Sequence, residues 1–304
     1  MGIDTREKIE EVIEKLGYQT NLVARSLKQK RTSTIGVIVA NILHTFSTQV
    51  IRAIEDVCNE QNINVIVCNA DDDPVKEKKY INMLRAKQVD GLITFPTDKN
   101  EKLYKQILKE GLPLVFVDRL IKDVLVNSFL LDNENASYIA VNHLVEKGHQ
   151  KIGMITTSLL RSVTPRVERI EGFKTAMKRH GITPQDNYIK GVEVTHIQFE
   201  LSKMLSSEDP PTALFAGNDL TLMEVLSYIK KKNIKIPDEL SLINIDDVSF
   251  SHIYDPTLTT IAQPASEIGQ EAANMLIKEI KDSSSVEKGN IYRFKANLIK
   301  RSST

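Results

Sequence analysis

Polar side chains follow most of the buried apolar runs of this chain, and their types could do chemistry. They are carboxylates, carboxamides, arginines, a histidine and an aromatic ring. The set comprises Asn41, His44, Phe46, Asn69, Asp71, Asp118, residues 161–169, Asn218, Asp219, Asp246 and Asp247. A carboxylate can accept hydrogen bonds from two hydroxyls and a ring can cover a sugar face, so the set suits a polyhydroxylated ligand. Asn and Asp after strands also serve as helix caps and turn residues, which is the alternative for any single one.

Several kinds of catalytic site are not supported by the spacing of these residues. Asp246 and Asp247 are neighbours in sequence, so their side chains point apart and do not form an acid/base pair. The six histidines lack metal-ligand spacing, and the chain has neither a glycine-rich phosphate loop nor a G-x-S-x-G nucleophile motif. The sequence therefore predicts a binding protein rather than an enzyme, with no catalytic residues, no metal site and no cofactor.

The elements that must position these side chains alternate along the chain. Seven runs are apolar on both faces and favour strands buried between helices: 35–40, 63–68, 91–95, 113–117, 151–155, 212–216 and 240–245. Amphipathic stretches typical of helices lie near 47–61, 74–88, 99–110, 134–147, 167–180, 197–206, 218–232 and 266–281. Strands alternating with helices form parallel sheets, and this many elements exceed one sheet. The predicted fold class is α/β, with two doubly wound parallel-sheet lobes and a ligand between them at the carboxyl ends of the strands.

Composition and charge exclude several classes of protein. The chain has 304 residues and a formal net charge of zero, so binding to a polyanion would need a local basic patch. Its two cysteines, Cys58 and Cys68, fit neither a metal site nor a disulfide framework. No apolar run is long enough to span a membrane, and charged residues stand where a signal peptide would need its apolar core. We therefore predict a cytoplasmic protein that does not enter a membrane.

The N-terminal region begins with the signature of one short helix. Asp4 and Glu7 have capping-box spacing, so a helix should start there. Its apolar stripe consists of Ile9, Val12, Ile13 and Leu16. Nothing upstream can cover this stripe, so we expect it to pack on a partner or on a part of a helical domain that is absent from this chain.

Residues 21–31 combine helix-forming composition with four cations, Arg25, Lys28, Lys30 and Arg31. An isolated helix shorter than roughly 12 to 15 residues is marginal in water. We therefore expect this segment to become helical only with support from outside the body, which makes it a candidate conformational switch. Its cations could contact nucleic-acid phosphates, and a solvated surface is the alternative.

Many motifs of this chain are similar to those of the LacI/GalR family of bacterial transcription repressors, and they occur in family order along nearly the whole chain. Near the N-terminus they are TREKI at 5–9, GY at 17–18 and NLVARSL at 21–27. In the body they are VDGLI at 89–93, NHL at 142–144, KGH at 147–149, RIEGF at 169–173, GND at 217–219, IPD at 236–238, DD at 246–247, LTTI at 258–261 and QP at 263–264.

The resemblance implies a periplasmic-binding-protein-like effector domain whose chain crosses three times between two lobes. By similarity, residues 1–32 are a remnant of a DNA-binding headpiece with a hinge helix at 21–28. The N-terminal lobe would comprise 33–131 plus 262–290, and the C-terminal lobe 132–261 plus 291–304. The residues that the resemblance implies for the effector cleft are His44, Phe46, Asp118, Arg169, Asn218, Asp246 and Gln263. All except Gln263 also belong to the polar set that follows the strands.

The resemblance also implies double-stranded operator DNA and a second copy of the chain as partners. In the family, the hinge helices of two subunits fold together in the minor groove, where a leucine opens a base step. The implied DNA-binding residues are Asn21, Ala24, Arg25, Leu27 and Lys28, with Leu27 as the wedge and the cations on phosphates.

Three features depart from the family pattern. The chain begins at the third helix of the family's headpiece, so helices 1 and 2 of the helix-turn-helix, which read the major groove, are absent and direct base readout would be missing. Thr20 stands where proline is usual before the hinge, which would loosen its start. Asn244-Ile245 replaces the common Gly-Tyr, and Asp255-Pro256 replaces Pro-Pro.

The sequence therefore predicts a sugar-responsive repressor of a carbohydrate-catabolism operon, in which the effector in the cleft controls hinge pairing on DNA. Arg161, Arg166 and Arg169 lie close together in sequence, and if more than Arg169 faces the cleft they favour a sugar acid, because guanidinium pairs bidentately with carboxylate. The stretches ERIEG at 168–172 and CNAD at 68–71 resemble regulators of keto-sugar-acid catabolism in Gram-positive bacteria, which implies an acid such as 2-keto-3-deoxygluconate. A neutral pentose or hexose is the alternative. A solute-binding protein without DNA binding would need a signal peptide and have no use for a basic hinge, and a sugar-modifying enzyme would need a nucleophile or an acid/base pair.

Overall fold

Two six-stranded sheets, each covered by helices on both faces, form two lobes. The computed structural model describes residues 12, 15, 31–159, 163–282, 287 and 289–304. The predicted α/β class with two parallel-sheet lobes is confirmed. The predicted hinge helix at 21–28 lies outside the described residues, as do Arg161 and all the predicted DNA-binding residues: Asn21, Ala24, Arg25, Leu27 and Lys28.

The first lobe is formed by consecutive elements from the start of the body and is completed by one helix and one strand from near the end of the chain. Its elements are β1 (Thr34–Val39), α1 (Thr45–Glu60), β2 (Asn64–Asn69), α2 (Pro74–Ala86), β3 (Gly91–Thr94), α3 (Glu101–Lys109), β4 (Leu114–Val117), β5 (Asn127–Leu131), α8 (Ala265–Lys281) and β11 (Ile291–Phe294). The sheet order is β11-β5-β4-β3-β1-β2, and all neighbouring strands are parallel.

The second lobe repeats this architecture with one antiparallel edge. Its elements are α4 (Asn133–Glu146), β6 (Ile152–Thr157), α5 (Thr164–Arg179), β7 (Ile189–Val192), α6 (Ile197–Leu205), β8 (Ala213–Ala216), α7 (Asp219–Lys232), β9 (Ser241–Ile245), β10 (Thr259–Ala262) and β12 (Asn297–Ile299). The sheet order is β12-β10-β9-β8-β6-β7, and β12 runs antiparallel to β10. Short 3₁₀ turns at Asp186–Tyr188 and Val194–His196 flank β7.

The central strands are apolar on both sides because helices cover both faces of each sheet. All four residues of β4, Leu-Val-Phe-Val, are buried. Val115 and Val117 belong to the cluster with α1 and α8, whereas Phe116 packs on the opposite face against Tyr104 of α3, with ring centroids 5.0 Å apart. Each fully buried side chain of this size contributes about 1.5–3 kcal/mol, so these layers form the core of the first lobe.

Helices α4 and α5 approach each other closely at Gly172. A Cβ atom on Gly172 would lie 2.6 Å from Glu134 Cα and 2.8 Å from the Glu134 carbonyl oxygen, so a larger residue would push the helices apart. The close approach fixes Arg169, one turn earlier on α5, next to Asn133 at the start of α4.

The chain crosses between the lobes after β5, after β10 and after β11. The predicted division assigned residues 291–304 to the C-terminal lobe, and this is wrong for Ile291–Phe294. These four residues form β11, which pairs with β5 at the edge of the first sheet, so the last crossing lies after Phe294. Phe294 still packs against the core of the first lobe, whereas Ala296 belongs to the core of the second.

The strands β5, β7, β10, β11 and β12 were not among the seven predicted runs. Three of them, β7, β11 and β12, lie at sheet edges and bury few residues. The interior strand β5 begins with Asn-Ser, and β10 begins with Thr-Thr. Polar residues in an interior strand hide the uniform apolar pattern by which buried parallel strands are recognised.

Candidate functional site

A small cavity of about 50 Å³ lies between the carboxyl ends of the strands of the two sheets. All seven residues predicted for the cleft line it: His44, Phe46, Asp118, Arg169, Asn218, Asp246 and Gln263. The remaining lining residues are Ala40, Ser47, Phe95, Arg119, Val163, Pro165 and Arg166. The structure therefore brings the predicted set together from both lobes, while the role of each residue toward a ligand stays a prediction.

The first lobe supplies a ring, a histidine and a carboxylate to this cavity. His44 immediately precedes α1, and Phe46 in its first turn is buried edge-to-face against Phe95, with centroids 6.1 Å apart. Asp118 follows β4 in the left-handed backbone region with φ 68°, which Asp adopts more readily than most residues. This backbone turn lets the residue directly after a buried strand line the cavity.

Arg169 is buried and held by two hydrogen bonds. Its Nε donates to Asn133 Oδ1 at 2.9 Å, and its Nη1 donates to the Gly217 carbonyl oxygen at 2.7 Å. Within the described part of the chain, Nη2 has no hydrogen-bond acceptor, so one edge of this guanidinium is available to a ligand. The fixed orientation makes Arg169 a preorganised donor.

Asn218 has the helix-cap role that was the alternative for each polar residue after a strand, and it also lines the cavity. Its Oδ1 accepts a hydrogen bond from the Thr221 backbone at 2.8 Å at the start of α7, and its Nδ2 donates to Thr157 Oγ1 at 3.3 Å. Capping fixes the side chain without occupying both of its carboxamide hydrogens.

The buried Asp246 pairs with the partly buried Gln263, and this pair retains an unused acceptor. Gln263 Nε2 donates to Asp246 Oδ1 at 2.5 Å, whereas Gln263 Oε1 has no partner among the described residues. Burial raises the pKa of Asp246, and the nearby negative charge of Asp219 raises it further. Buried acceptors of this kind suit ligand hydroxyl groups, which can donate to them.

The lobes are joined across one side of the cavity by Asp219. Its Oδ1 lies 2.5 Å from His44 Nδ1, and its Oδ2 accepts a hydrogen bond from the Thr45 backbone at 2.6 Å. Burial acts to raise the pKa of Asp219, but the hydrogen bond and charge of His44 outweigh it, so the pKa is lowered overall.

Asp72 joins the lobes on another side of the cavity. Its Oδ1 accepts a hydrogen bond from Arg119 Nη1 in the first lobe at 2.5 Å, and its Oδ2 accepts one from Arg166 Nη2 in the second lobe at 2.8 Å. Burial acts to raise the pKa of Asp72, but the charges and hydrogen bonds of the two arginines outweigh it and lower the pKa to about 2. Asp72 is therefore ionised throughout the physiological range.

Asp72, Arg119 and Asp219 were not in the predicted cleft set. The available signals were weak: Asp72 lies in a run of three aspartates after β2, Arg119 directly follows Asp118, and Asp219 directly follows Asn218. Nothing in such local signals indicates which distant residue will be the partner.

A second, larger cavity of about 350 Å³ adjoins the first. It is lined by Asn41, His44, Asp71, Asp72, Thr157, Ser158, Arg166, Glu193, Val194 and Leu220. Of the residues that the structure describes, only His44 and Arg166 line both cavities. These two side chains, each paired with an aspartate, therefore separate an inner cavity from an outer one.

The described residues offer neither a metal site nor a membrane-spanning helix. No group of three or more His, Cys, Asp or Glu side chains among the described residues could hold a metal ion. In the same ranges, no helix has both the length and the apolarity needed to cross a bilayer.

The fold and the cleft define a ligand-binding domain of the periplasmic-binding-protein class, and the sequence pattern described as "Periplasmic binding protein-like domain" matches residues 141–304. The chain is 47% identical to the probable HTH-type transcriptional regulator EndR of Paenibacillus polymyxa, over 92% of this chain and 83% of that protein. The chain belongs to the LacI/GalR family of transcriptional regulators, as its motifs predicted.

Two solved structures show the same architecture. The Lac repressor bound to ONPG in the repressed state is 26% identical, with a TM-score of 0.86, over 100% of this chain and 92% of that chain. A LacI family transcriptional regulator from Enterococcus faecium with bound ribose is 28% identical, with a TM-score of 0.78, over 89% of this chain and 98% of that one. The relatives are regulators, which confirms the prediction of a transcriptional regulator rather than an enzyme.

Proposed function

We propose that this regulator is a homodimeric repressor of a carbohydrate-catabolism operon and that its cleft binds a sugar effector. The observation that carries the proposal is the single buried cavity lined by all seven predicted residues, in which Gln263 Oε1 has no partner among the described residues. The similar regulator from Enterococcus faecium holds ribose, a polyhydroxylated ligand of the predicted kind. Hydroxyl groups would supply donors to the carboxylates and carboxamides of the cleft.

The effector acts in this proposal by changing how the two lobes meet. Ligand pockets typically measure about 300–1,000 Å³, whereas the inner cavity measures about 50 Å³, so the cleft must open before a sugar can enter. Reclosure on the ligand alters the lobe arrangement beside the hinge segment 21–28, which pairs with that of a second subunit on operator DNA. A coupling of roughly 1 to 3 kcal/mol per site is typical of such allosteric control.

The effector class has two candidates. A sugar acid such as 2-keto-3-deoxygluconate is favoured by the cationic groups of Arg119, Arg166 and Arg169 around the cavity. A neutral pentose or hexose is favoured by the carboxylates of Asp118 and Asp246, which accept from hydroxyls and repel anions. A sugar-binding protein without DNA binding is the remaining alternative, and it predicts sugar binding with no effect on any DNA fragment.

Calorimetric titration with D-ribose, D-glucose, D-gluconate and 2-keto-3-deoxygluconate tests the proposal. We expect at least one of these to bind, and Asp246→Asn to weaken that binding by about tenfold to a hundredfold, the effect of losing a hydrogen bond to a charged group. Asp247→Asn is the matched control, because Asp247 is bound to Thr260 and Arg301 and does not line the cavity. Absence of binding by the folded protein, or equal effects of the two substitutions, would contradict the proposal.

A further inference from the structure

Asp72 is held in a geometry that is specific for a carboxylate. Each of its two oxygens receives a hydrogen bond from a different guanidinium group, Oδ1 from Arg119 and Oδ2 from Arg166. The Arg119 side chain is only 7% exposed and that of Arg166 only 14%. Arginine stays protonated in proteins, so both groups need a negative charge beside them whether or not Asp72 supplies it.

The two arginines are anchored independently of Asp72. Arg119 Nε lies 3.4 Å from Asp118 Oδ2, and Arg166 Nη1 donates to the Ser158 carbonyl oxygen at 3.1 Å. Each guanidinium therefore keeps a second contact if the carboxylate of Asp72 moves away. Arg119 and Arg166 together form a fork of two guanidinium groups around the position that the Asp72 carboxylate occupies, and other contacts also hold this fork in place.

The two cavities give Asp72 and a ligand separate routes to this fork. Arg119 lines only the inner cavity, Asp72 lines only the outer one, and Arg166 lines both. A ligand carboxylate would reach the arginines from the inner side, and the Asp72 side chain would turn into the outer cavity of about 350 Å³, which has room to hydrate it.

We propose that Arg119 and Arg166 form a carboxylate-binding subsite that Asp72 occupies in the effector-free protein. An acidic effector binds by exchanging its carboxylate for that of Asp72. The inference rests on the proposed function of the cleft and specifies the ligand class as a sugar acid, with its carboxylate on the two arginines and its hydroxyls toward Asp246 and Gln263. Asp72 then acts as a specificity residue, because a neutral sugar offers no charge to replace it.

The experiment removes the internal carboxylate and asks whether a free one takes its place. The variant is Asp72→Asn, and the matched control is Asp71→Asn. Asp71 is the neighbouring aspartate, also in the left-handed region, but its side chain is half exposed and bound to Lys76 and Asn69. Both substitutions remove one negative charge from the same loop, and only the first takes it from the two arginines.

Urea denaturation and calorimetry are run with sodium D-gluconate, sodium sulfate or sodium chloride at equal ionic strength. We expect D72N to bind gluconate at least about tenfold tighter than the wild type and D71N do, and to gain more stability than D71N in gluconate relative to chloride. Sulfate stabilises folded proteins in general, so only a greater gain for D72N than for D71N in sulfate means that the two arginines accept oxyanions in general, which also supports the subsite. Equal responses of D72N and D71N to gluconate would overturn it.

A second variant covers the case in which D72N does not fold in chloride. The double variant Asp72→Asn with Arg166→Gln removes one charge of each sign, so it should fold and show no response to gluconate. If it folds while D72N stays unfolded even in gluconate and sulfate, the subsite is refuted. If a neutral sugar binds and D72N shows no anion response, the proposed function stands and the subsite is refuted. If D72N responds to anions but no sugar binds, the subsite stands and the proposed function is refuted.

Discussion

The surroundings of two aspartates in this cleft shift their pKa values in opposite directions. Asp246 is buried near another carboxylate, so its charge is disfavoured and its pKa is raised. Asp72 is flanked by two guanidinium groups, so its charge is favoured and its pKa falls to about 2. The charge of Asp246 is therefore destabilising unless ligand hydroxyls bind to it, whereas the charge of Asp72 stabilises the closed arrangement.

Asp246→Asn should stabilise the ligand-free protein at neutral pH, because it removes a charge that burial and the nearby Asp219 disfavour. A raised pKa means that ionisation of Asp246 weakens the folded state, so this penalty is absent below the ordinary Asp pKa of about 3.9 and complete above the raised pKa. Urea denaturation at pH 7 and at pH 4 measures it. Asn also tolerates the left-handed conformation at this position, φ 84°. A larger advantage of the variant at pH 4 than at pH 7 would refute this prediction.

Asp72→Asn should have the opposite sign in chloride buffer. The lowering from 3.8 to about 2 corresponds to about 2 kcal/mol of stability at pH 7. For a carboxyl group with a depressed pKa, that stability is complete above the unfolded pKa and is lost as the pH falls from about 4 to about 2. The difference in unfolding free energy between wild type and variant, measured at pH 7, 4 and 3, should shrink on acidification. A difference that does not change with pH would show that the two arginines do not control Asp72.

Among the elements, helix α5 links the cleft to the crossings between the lobes. It carries Arg169, whose Nε is bound to Asn133 at the first crossing. One residue earlier it carries Glu168, whose carboxylate is bound at 2.6 and 2.9 Å by Arg293 at the last crossing. A displacement of α5 therefore alters both the cavity and the crossings between the lobes.

Gly172→Ala should destabilise the protein by about 1–3 kcal/mol, the range for overpacking a closely packed interior. The added methyl group would meet the backbone of Glu134, which cannot rotate away as a side chain can. The substitution should also weaken effector binding, because Arg169 lies one turn away on the same helix. Glu171→Ala is the control, since Glu171 is exposed on that helix and its replacement should leave the urea midpoint nearly unchanged. Equal midpoints for the two variants would refute this account of the helix contact.

Contacts between the lobes hold the whole molecule closed. They include the pairs of His44 with Asp219 and of Arg166 with Asp72, and a hydrogen bond from the Leu120 backbone to Thr164 Oγ1 at 3.0 Å. Such contacts set the fraction of molecules that are open, and ligand entry depends on that fraction.

Thr164→Val should shift the ligand-free population toward the open form by about 1–2 kcal/mol, because the Leu120 amide would lose its acceptor in the closed form. Thr164 does not line the inner cavity, so the substitution tests closure rather than ligand contact. Small-angle scattering should show a larger radius of gyration, and stopped-flow binding should show a faster limiting rate. Thr48→Val is the control, because among the described residues the Thr48 hydroxyl bonds only to the Thr45 carbonyl within α1. Scattering curves identical to the wild type would refute this role.

The sequence by itself determined the local elements and the polar residues that follow them. Apolar runs such as β1 and β4 are read from consecutive residues, because burial on both faces imposes that pattern locally. The polar residues that follow the strands could be predicted because parallel strands end at one edge of a sheet, whereas the selection of seven cleft residues among them, with Gln263 added, came from the family resemblance. The edge strand β11 could not, because pairing with β5 rather than its own pattern makes it a strand.

Only the tertiary structure decided which of these residues meet. His44 pairs with Asp219, which is 175 positions away in the sequence. Asp72 pairs with Arg119, 47 positions away, and with Arg166, 94 positions away. Electrostatic pairing depends on distance in space, which the mutual position of the lobes sets and sequence periodicity does not encode. The volume of the inner cavity is decided in the same way. The sequence therefore specified the polar groups that line this cleft, and the closure of the lobes decided how those groups are paired.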